Sequence, residues 1–220
     1  MTEINIQPEH ISLFGFEIGV SVVMGWIVVA LLVGLCAVIR LKARTFTERP
    51  KGFQNVLEMV VDGVRSFAKG KVGHDADFCA PLVLTLMTFI VAATLMELFG
   101  LPPATDDLSC TLALGLSSFL LMNVTALKDL GPARRVKRLA SPIFFVLPIR
   151  VMTDCVAPIS MALRLFINIT VGGIIMKLVY QALPFVLPAI PSVYFNLVHV
   201  AIQTFVFGLL TLNYTMEAIE

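Results

Sequence analysis

The stretch Pro158-Ile-Ser-Met-Ala-Leu-Arg164-Leu-Phe-Ile-Asn168-Ile-Thr-Val-Gly-Gly173 sets one arginine in an apolar, helix-compatible run. Arg164 is the only charge between Asp154 and Lys177. A guanidinium cannot lose its proton in a protein, so it cannot escape a low-dielectric setting by neutralising. At the centre of a bilayer that costs roughly 3 kcal/mol on insertion scales and more in simulations. A charge kept at that depth is a functional signal, and the rest of the chain reads as the frame that holds it.

Of the 220 residues, 58% are hydrophobic and 14% charged, with a mean hydropathy of +0.91. A soluble domain carries about 25% charged residues. Several charge-free runs reach the ~20 residues that span a bilayer. The expected fold is therefore an all-α membrane protein, one membrane domain over residues 1–220. Its elements are a first transmembrane helix at 18–39, an amphipathic surface helix at 51–72, and spans at 78–96 and 108–127. A long helix at 139–180 carries Arg164, and a final helix covers 192–216. Residues 1–17 read as a short polar lead without the basic start of a cleaved signal. The surface helix follows from Phe53, Val56, Leu57, Val60, Val61, Val64 and Phe67 at helical spacing, with Gln54, Glu58, Asp62 and Lys69 on other faces. It lies on the membrane or against a partner; a soluble linker is the alternative.

The segment 139–180 is the odd one. As one helix its 42 residues would run ~63 Å, against a hydrocarbon core of ~30 Å. Pro148 and Pro158 punctuate it, so it is expected to kink, tilt steeply or lie partly in the membrane plane. Thirteen of the sixteen Lys and Arg residues fall in two loops, 40–77 and 128–138, while 97–107 and 181–191 hold none. Bases stay on the cytoplasmic side. That gives five passages, with the N-terminus outside and the C-terminus inside. The balance of +1 says nothing about nucleic acid, because the charges are sorted by membrane side and not into one patch, and no nucleic-acid partner is expected. Cys36, Cys79, Cys110 and Cys155 show no metal or disulfide spacing. No cofactor or metal is expected.

Arg164 and Asn168 are four residues apart on one helix face, which Ser160 and Gly172 extend. In the final run Asn196, His199 and Gln203 also share a face. Joined by the turn containing Pro184, Pro188 and Pro191, the two helices would be antiparallel, bringing Gln203 towards Arg164. Gln203 then either holds the guanidinium by hydrogen bonds without neutralising it or makes a plain interhelical bond.

Four motifs resemble one family in its own order. Ala162-Leu-Arg-Leu-Phe-Ile-Asn-Ile-Thr-Val-Gly-Gly173 is similar to the (Leu/Ser)-Leu-Arg-Leu-Phe-Gly-Asn-x-x-Ala-Gly signature of subunit a of the F-type ATP synthase membrane sector. Ala201-Ile-Gln-Thr-Phe-Val-Phe-Gly-Leu-Leu-Thr-Leu-Asn-Tyr214 resembles its final-helix pattern. Pro103-Ala-Thr-Asp-Asp-Leu-Ser-Cys-Thr-Leu-Ala-Leu114 resembles its Pro-Thr-Ala-Asp loop, and Phe53-Gln-Asn-Val-Leu-Glu58 its surface helix. Together they cover about residues 20–216.

The resemblance implies that Arg164 is the stator arginine, with Asn168 and Gln203 flanking it in the ion path. Asp154 matches an acidic half-channel position, or else pairs with Arg150. Glu97 and Asp106 match acids of the outward access path, or are plain loop acids. Two positions depart from the family: Gly173 and Asn196 stand where it often has Glu or His. His199, one turn on, either supplies the missing titratable group or is a neutral helix residue. The implied partners are a rotor ring of c subunits, peripheral-stalk b subunits and the lipid bilayer.

The implied activity is a stator ion channel, with no catalytic site of its own, that couples H⁺ or Na⁺ flow through two offset half-channels to ring rotation and ATP synthesis. The bacterial plasma membrane is the expected location. The main alternative is a stand-alone ion channel or secondary transporter. It predicts a pore lined by the chain's own polar residues and often an internal repeat, and neither is visible here. A structural scaffold gives no reason for Arg164, Asn168, His199 and Gln203 at bilayer depth. An intramembrane enzyme would need a Ser/His dyad, His-Glu-x-x-His or paired aspartates, which the runs lack.

Overall fold

The computed structural model describes residues 10–13, 16–43, 52–98, 103–131, 147–182 and 189–219. The chain opens with an antiparallel pair, β1 (His10–Leu13) and β2 (Phe16–Gly19), in which Ile11 faces Ile18 and Leu13 faces Phe16. The pair lies in and just after the lead expected over 1–17, for which no secondary structure was expected, and the rest of the described fold is helical. β-Branched and aromatic residues favour the extended form, and they recur here in a segment too short for a helix. Helices follow: α1 (Val20–Ala43), α2 (Phe53–Val72), α3 (Ala76–Leu98), α4 (Leu108–Leu130), α5 (Leu147–Ala182) and α6 (Ala189–Ile219). Short 3₁₀ turns at Gly73–Asp75 and Ala104–Asp106 link α2 to α3 and precede α4.

Among the described residues, four stretches are long and apolar enough to cross a membrane: Val20–Ala43, Phe53–Met96, Leu108–Leu130 and Met152–Ile175. The protein is an integral membrane protein. Helix α1 is apolar all round and buries only Val28, against Ala93 and Ala104. Such a helix, largely uncovered by the described residues, suits hydrocarbon.

Helix α2 is less of a surface element than its sequence suggests. Its second half docks on the bundle, where Val64, Phe67, Ala68 and Val72 meet Ala76, Cys79, Ala80 and Val83 of α3 and Leu212 of α6. The rings of Phe67 and Phe205 stack obliquely, centroids 5.6 Å apart. Its first half leaves Phe53, Val56, Met59 and Val60 exposed. Gly73, at φ 63°, ends the helix in a conformation that disfavours other residues, and its N–H caps the Lys69 carbonyl. Arg65 then reaches across the elbow to Asp77 at 2.7 Å.

The core is a three-helix contact of α3, α4 and α6, with α5 packed chiefly on α4. Ile90, Leu114, Met161, Leu165, Ile169 and Phe207 form its central cluster. The prolines expected to interrupt the arginine-bearing segment leave α5 continuous. Pro148 is the second residue of the helix, where a missing N–H is an orphan anyway. Pro158 is interior, and its carbonyl is pressed against Gly115 of α4. Residues 139–146 of the expected segment lie outside the described residues.

Candidate functional site

Arg164 stands near the middle of the Met152–Ile175 span, with its side chain exposed on the outer surface of α5. Ala157, Met161, Ala162, Leu165 and Ile169 of the same helix are buried against the bundle. Among the described residues Arg164 has no hydrogen-bond or ion-pair partner. One turn on, Asn168 is half-buried, and its Nδ2 donates to Oε1 of Gln203 at 2.8 Å. Gln203 is only 6% exposed.

The interhelical contact expected between Arg164 and Gln203 is therefore made by Asn168. The reason lies in helix geometry. Residues four apart are offset by about 40° around the axis. Asn168 turns towards α6, and Arg164 stays outside the bundle. Met161 meets Thr211, and Asn168 meets Gln203, in opposite order along the two helices, so α5 and α6 are antiparallel.

Asp154 is half-buried on α5 and is engaged by a neighbour. Asn196 and His199 share a register face of α6 with Gln203; Glu97 is in the last turn of α3, and Asp106 closes the second 3₁₀ turn. The side chains of these four lie outside the described residues. Their neighbour Asp107 caps α4, its carboxylate accepting from Ser109 N–H at 2.9 Å.

The sequence reading passes over a file of small hydroxyls inside the bundle. Thr111, Ser118 and Thr125 of α4 are all buried and recur every seven residues, so they lie along one face. Ser118 hydrogen-bonds Thr211 of α6 at 2.8 Å, and Thr125 hydrogen-bonds Cys79 of α3 at 3.4 Å. Thr211 also donates to its own helix at Phe207, 2.9 Å away. The seven-residue period was visible, but Ser and Thr in apolar helices carry no chemistry that singles them out.

Comparison with known proteins agrees with this architecture. The family model of the ATP synthase A chain matches residues 22–216. ATP synthase subunit a of Moorella thermoacetica is 32% identical over 212 residues, covering 96% of this chain and 95% of that protein. ATP synthase subunit a 1 of Syntrophotalea carbinolica is 31% identical over 217 residues, covering 96% of this chain and 90% of the relative. This chain belongs to the ATP synthase A chain family.

Proposed function

We propose that the chain is the stator ion-channel subunit of a rotary ATP synthase, with Arg164 the fixed cation that the rotor's carboxylates must pass. As a member of its family it serves in the ion-translocating membrane sector and has no catalytic site of its own. The observation that carries the finer reading is the exposed guanidinium, without a partner among the described residues, at the centre of a membrane-length helix. It is a charge presented outwards, to something other than its own bundle.

An ionised carboxylate on a ring of c subunits is favoured beside Arg164, and a neutral one is favoured against lipid. Each carboxylate releases its ion to one half-channel on approach and reloads from the other after passing. Each charge crossing the membrane carries about 2.3 kcal/mol per 100 mV, and two offset half-channels turn that into directed rotation. Asn168 and Gln203 line the path beside the arginine, with Asp154 in one half-channel. Glu97, Asp106, Asn196 and His199 serve the access routes. Peripheral-stalk b subunits hold the assembly still.

In this reading the chain makes five passages of a bacterial plasma membrane, α6 being the fifth, with the N-terminus outside and the C-terminus in the cytoplasm. The last two helices tilt along the ring. The distribution of Lys and Arg supports the orientation. The coupling ion is H⁺ in this proposal.

The test is Arg164→Gln, with Arg164→Ala beside it, in membranes containing the whole complex. The expected result is a complex that assembles and makes no ATP from an ion gradient. Normal synthesis in either variant would refute the stator role. Wild-type synthesis driven by a pH gradient without sodium identifies the ion.

A further inference from the structure

We propose that Gly115 of α4 is a positioning residue that sets how far the arginine-bearing helix stands out from the bundle. The inference rests on the reading of Arg164 given above. A Cβ built on Gly115 would lie 2.5 Å from the Pro158 carbonyl oxygen and 3.1 Å from Cβ of Ala162. The first contact is with backbone, so no side chain can swing away to relieve it. Close carbon–oxygen contacts settle at about 3.3 Å or more. Any residue larger than glycine at 115 must therefore push α5 back by roughly 0.8 Å.

The push falls on the helix that carries the charge. Pro158 and Ala162 lie six and two residues before Arg164, so the contact is within about 9 Å of it along the axis. Both are buried on the face that α5 turns to the bundle, and Arg164 is exposed on the outer side. An outward displacement of α5 carries the guanidinium with it.

The reference point for that displacement is fixed independently. Three residues after Gly115, at Ser118, α4 is tied to α6 by the 2.8 Å bond to Thr211. Thr211 also touches Sδ of Met161, on α5, at 3.9 Å. Helix α4 is thus held on the Gln203-bearing helix and touches the Arg164-bearing helix through a glycine. Its thickness at Gly115 is the spacer between them. Gly34 of α1 does not share this role, since it has open space where its Cβ would be.

The test uses the intact complex in inverted membrane vesicles and reads the membrane potential built up per ATP hydrolysed. That ratio does not depend on how much complex is present, and it registers both H⁺ and Na⁺ pumping. Gly115→Ala is expected to lower the ratio on the order of tenfold, below the roughly 100-fold that a full 1 Å misplacement can cost in other mechanisms, while hydrolysis continues. Gly34→Ala is expected to leave it unchanged. A Gly115→Ala complex too unstable to isolate moves the measurement to Ala162→Gly, which loosens the same contact from the α5 side and is likewise expected to lower the ratio.

A proportional fall of pumping and hydrolysis, with the ratio unchanged, would overturn the positioning role and leave Gly115 a packing residue. The two readings fail separately. If Arg164→Gln still synthesises ATP, the stator reading falls. If Arg164→Gln is inactive but the Gly115 ratio is unchanged, only the positioning inference falls.

Discussion

Among the described residues, the 2.8 Å bond from Asn168 to Gln203 is the one side-chain hydrogen bond between α5 and α6 that lies one turn from Arg164. Gln203→Leu removes its acceptor and leaves a half-buried amide donor without its partner. A neutral hydrogen bond contributes about 0.5–1.5 kcal/mol net, and a stranded buried polar group costs about 1–3 kcal/mol. With about 1.5–2 kcal/mol acting on the ion-passing step, the rate falls about 10- to 30-fold, since 1.36 kcal/mol is a factor of ten. That is a smaller loss than the abolition expected for Arg164→Gln. Asn168→Leu strands the deeper Gln203 amide and is expected to cost at least as much. The double variant removes both polar groups together and leaves two apolar side chains in contact. Replacing both partners of a bond is close to neutral, so the double variant is expected to be no worse than either single one. The assay is gradient-driven ATP synthesis in vesicles, normalised to assembled complex. If the double variant loses the product of the two single losses, the residues act independently and the reasoning from their shared bond is wrong.

Three further outcomes follow from the bundle. Ser118→Ala strands the buried Thr211 hydroxyl only partly, because Thr211 keeps its bond to Phe207, so a loss of about 1 kcal/mol is expected in thermal unfolding of the purified complex. The Thr204 hydroxyl is buried without a partner among the described residues, so Thr204→Val is expected to leave stability unchanged or raise it by up to about 1 kcal/mol, with a lowered melting temperature counting against that. Asp77→Asn breaks the Arg65 pair at 2.7 Å, but the two side chains are 63% and 52% exposed, so assembly and synthesis measured in membranes are expected to match the wild type.

Much of the helical membrane architecture was legible because a bilayer imposes length and polarity rules on single residues. The charge-free runs mark apolar helices, and Gly73 and the Asp107 cap explain where α2 ends and α4 begins. The β1–β2 pair was not legible: with four residues per strand it offers no period to count. The long arginine-bearing helix was legible, and α5 runs through Pro158. The close approach of Gly115 to the Pro158 carbonyl was not, because it joins positions distant in sequence. At the site, spacing identified the face of α5 that holds both Arg164 and Asn168. It did not decide which of them meets Gln203, because that depends on the 40° between them and on where α6 sits.

The exposure of Arg164 and the burial of Gln203 are one consequence of their chemistry. An amide can be buried once a partner satisfies it, and Asn168 does so. A guanidinium carries five N–H donors and a charge that burial would strand. Its own bundle offers no carboxylate to it among the described residues, so it stays outside. Yet outside cannot mean lipid. Arg164 is 12 residues from Met152 and 11 from Ile175, the ends of its span, or about 17 Å from either boundary. A snorkelling side chain covers only part of that distance, and intramembrane charges otherwise face protein or water-filled cavities. Leu163, Ile167 and Val171, exposed beside it, are apolar, and Ser160, exposed one turn back, offers a neutral hydroxyl and no counter-charge. The outer face of α5 around Arg164 is therefore a face that another acidic surface or an aqueous path must cover. Trapping by a single cysteine placed at Ile167 distinguishes the two: a cross-link to a rotor helix marks a protein-covered face, and labelling by a small membrane-impermeant thiol reagent marks an aqueous one. Reaction with lipid-soluble reagents alone would show that the arginine faces hydrocarbon, and the physical case for its role would fail.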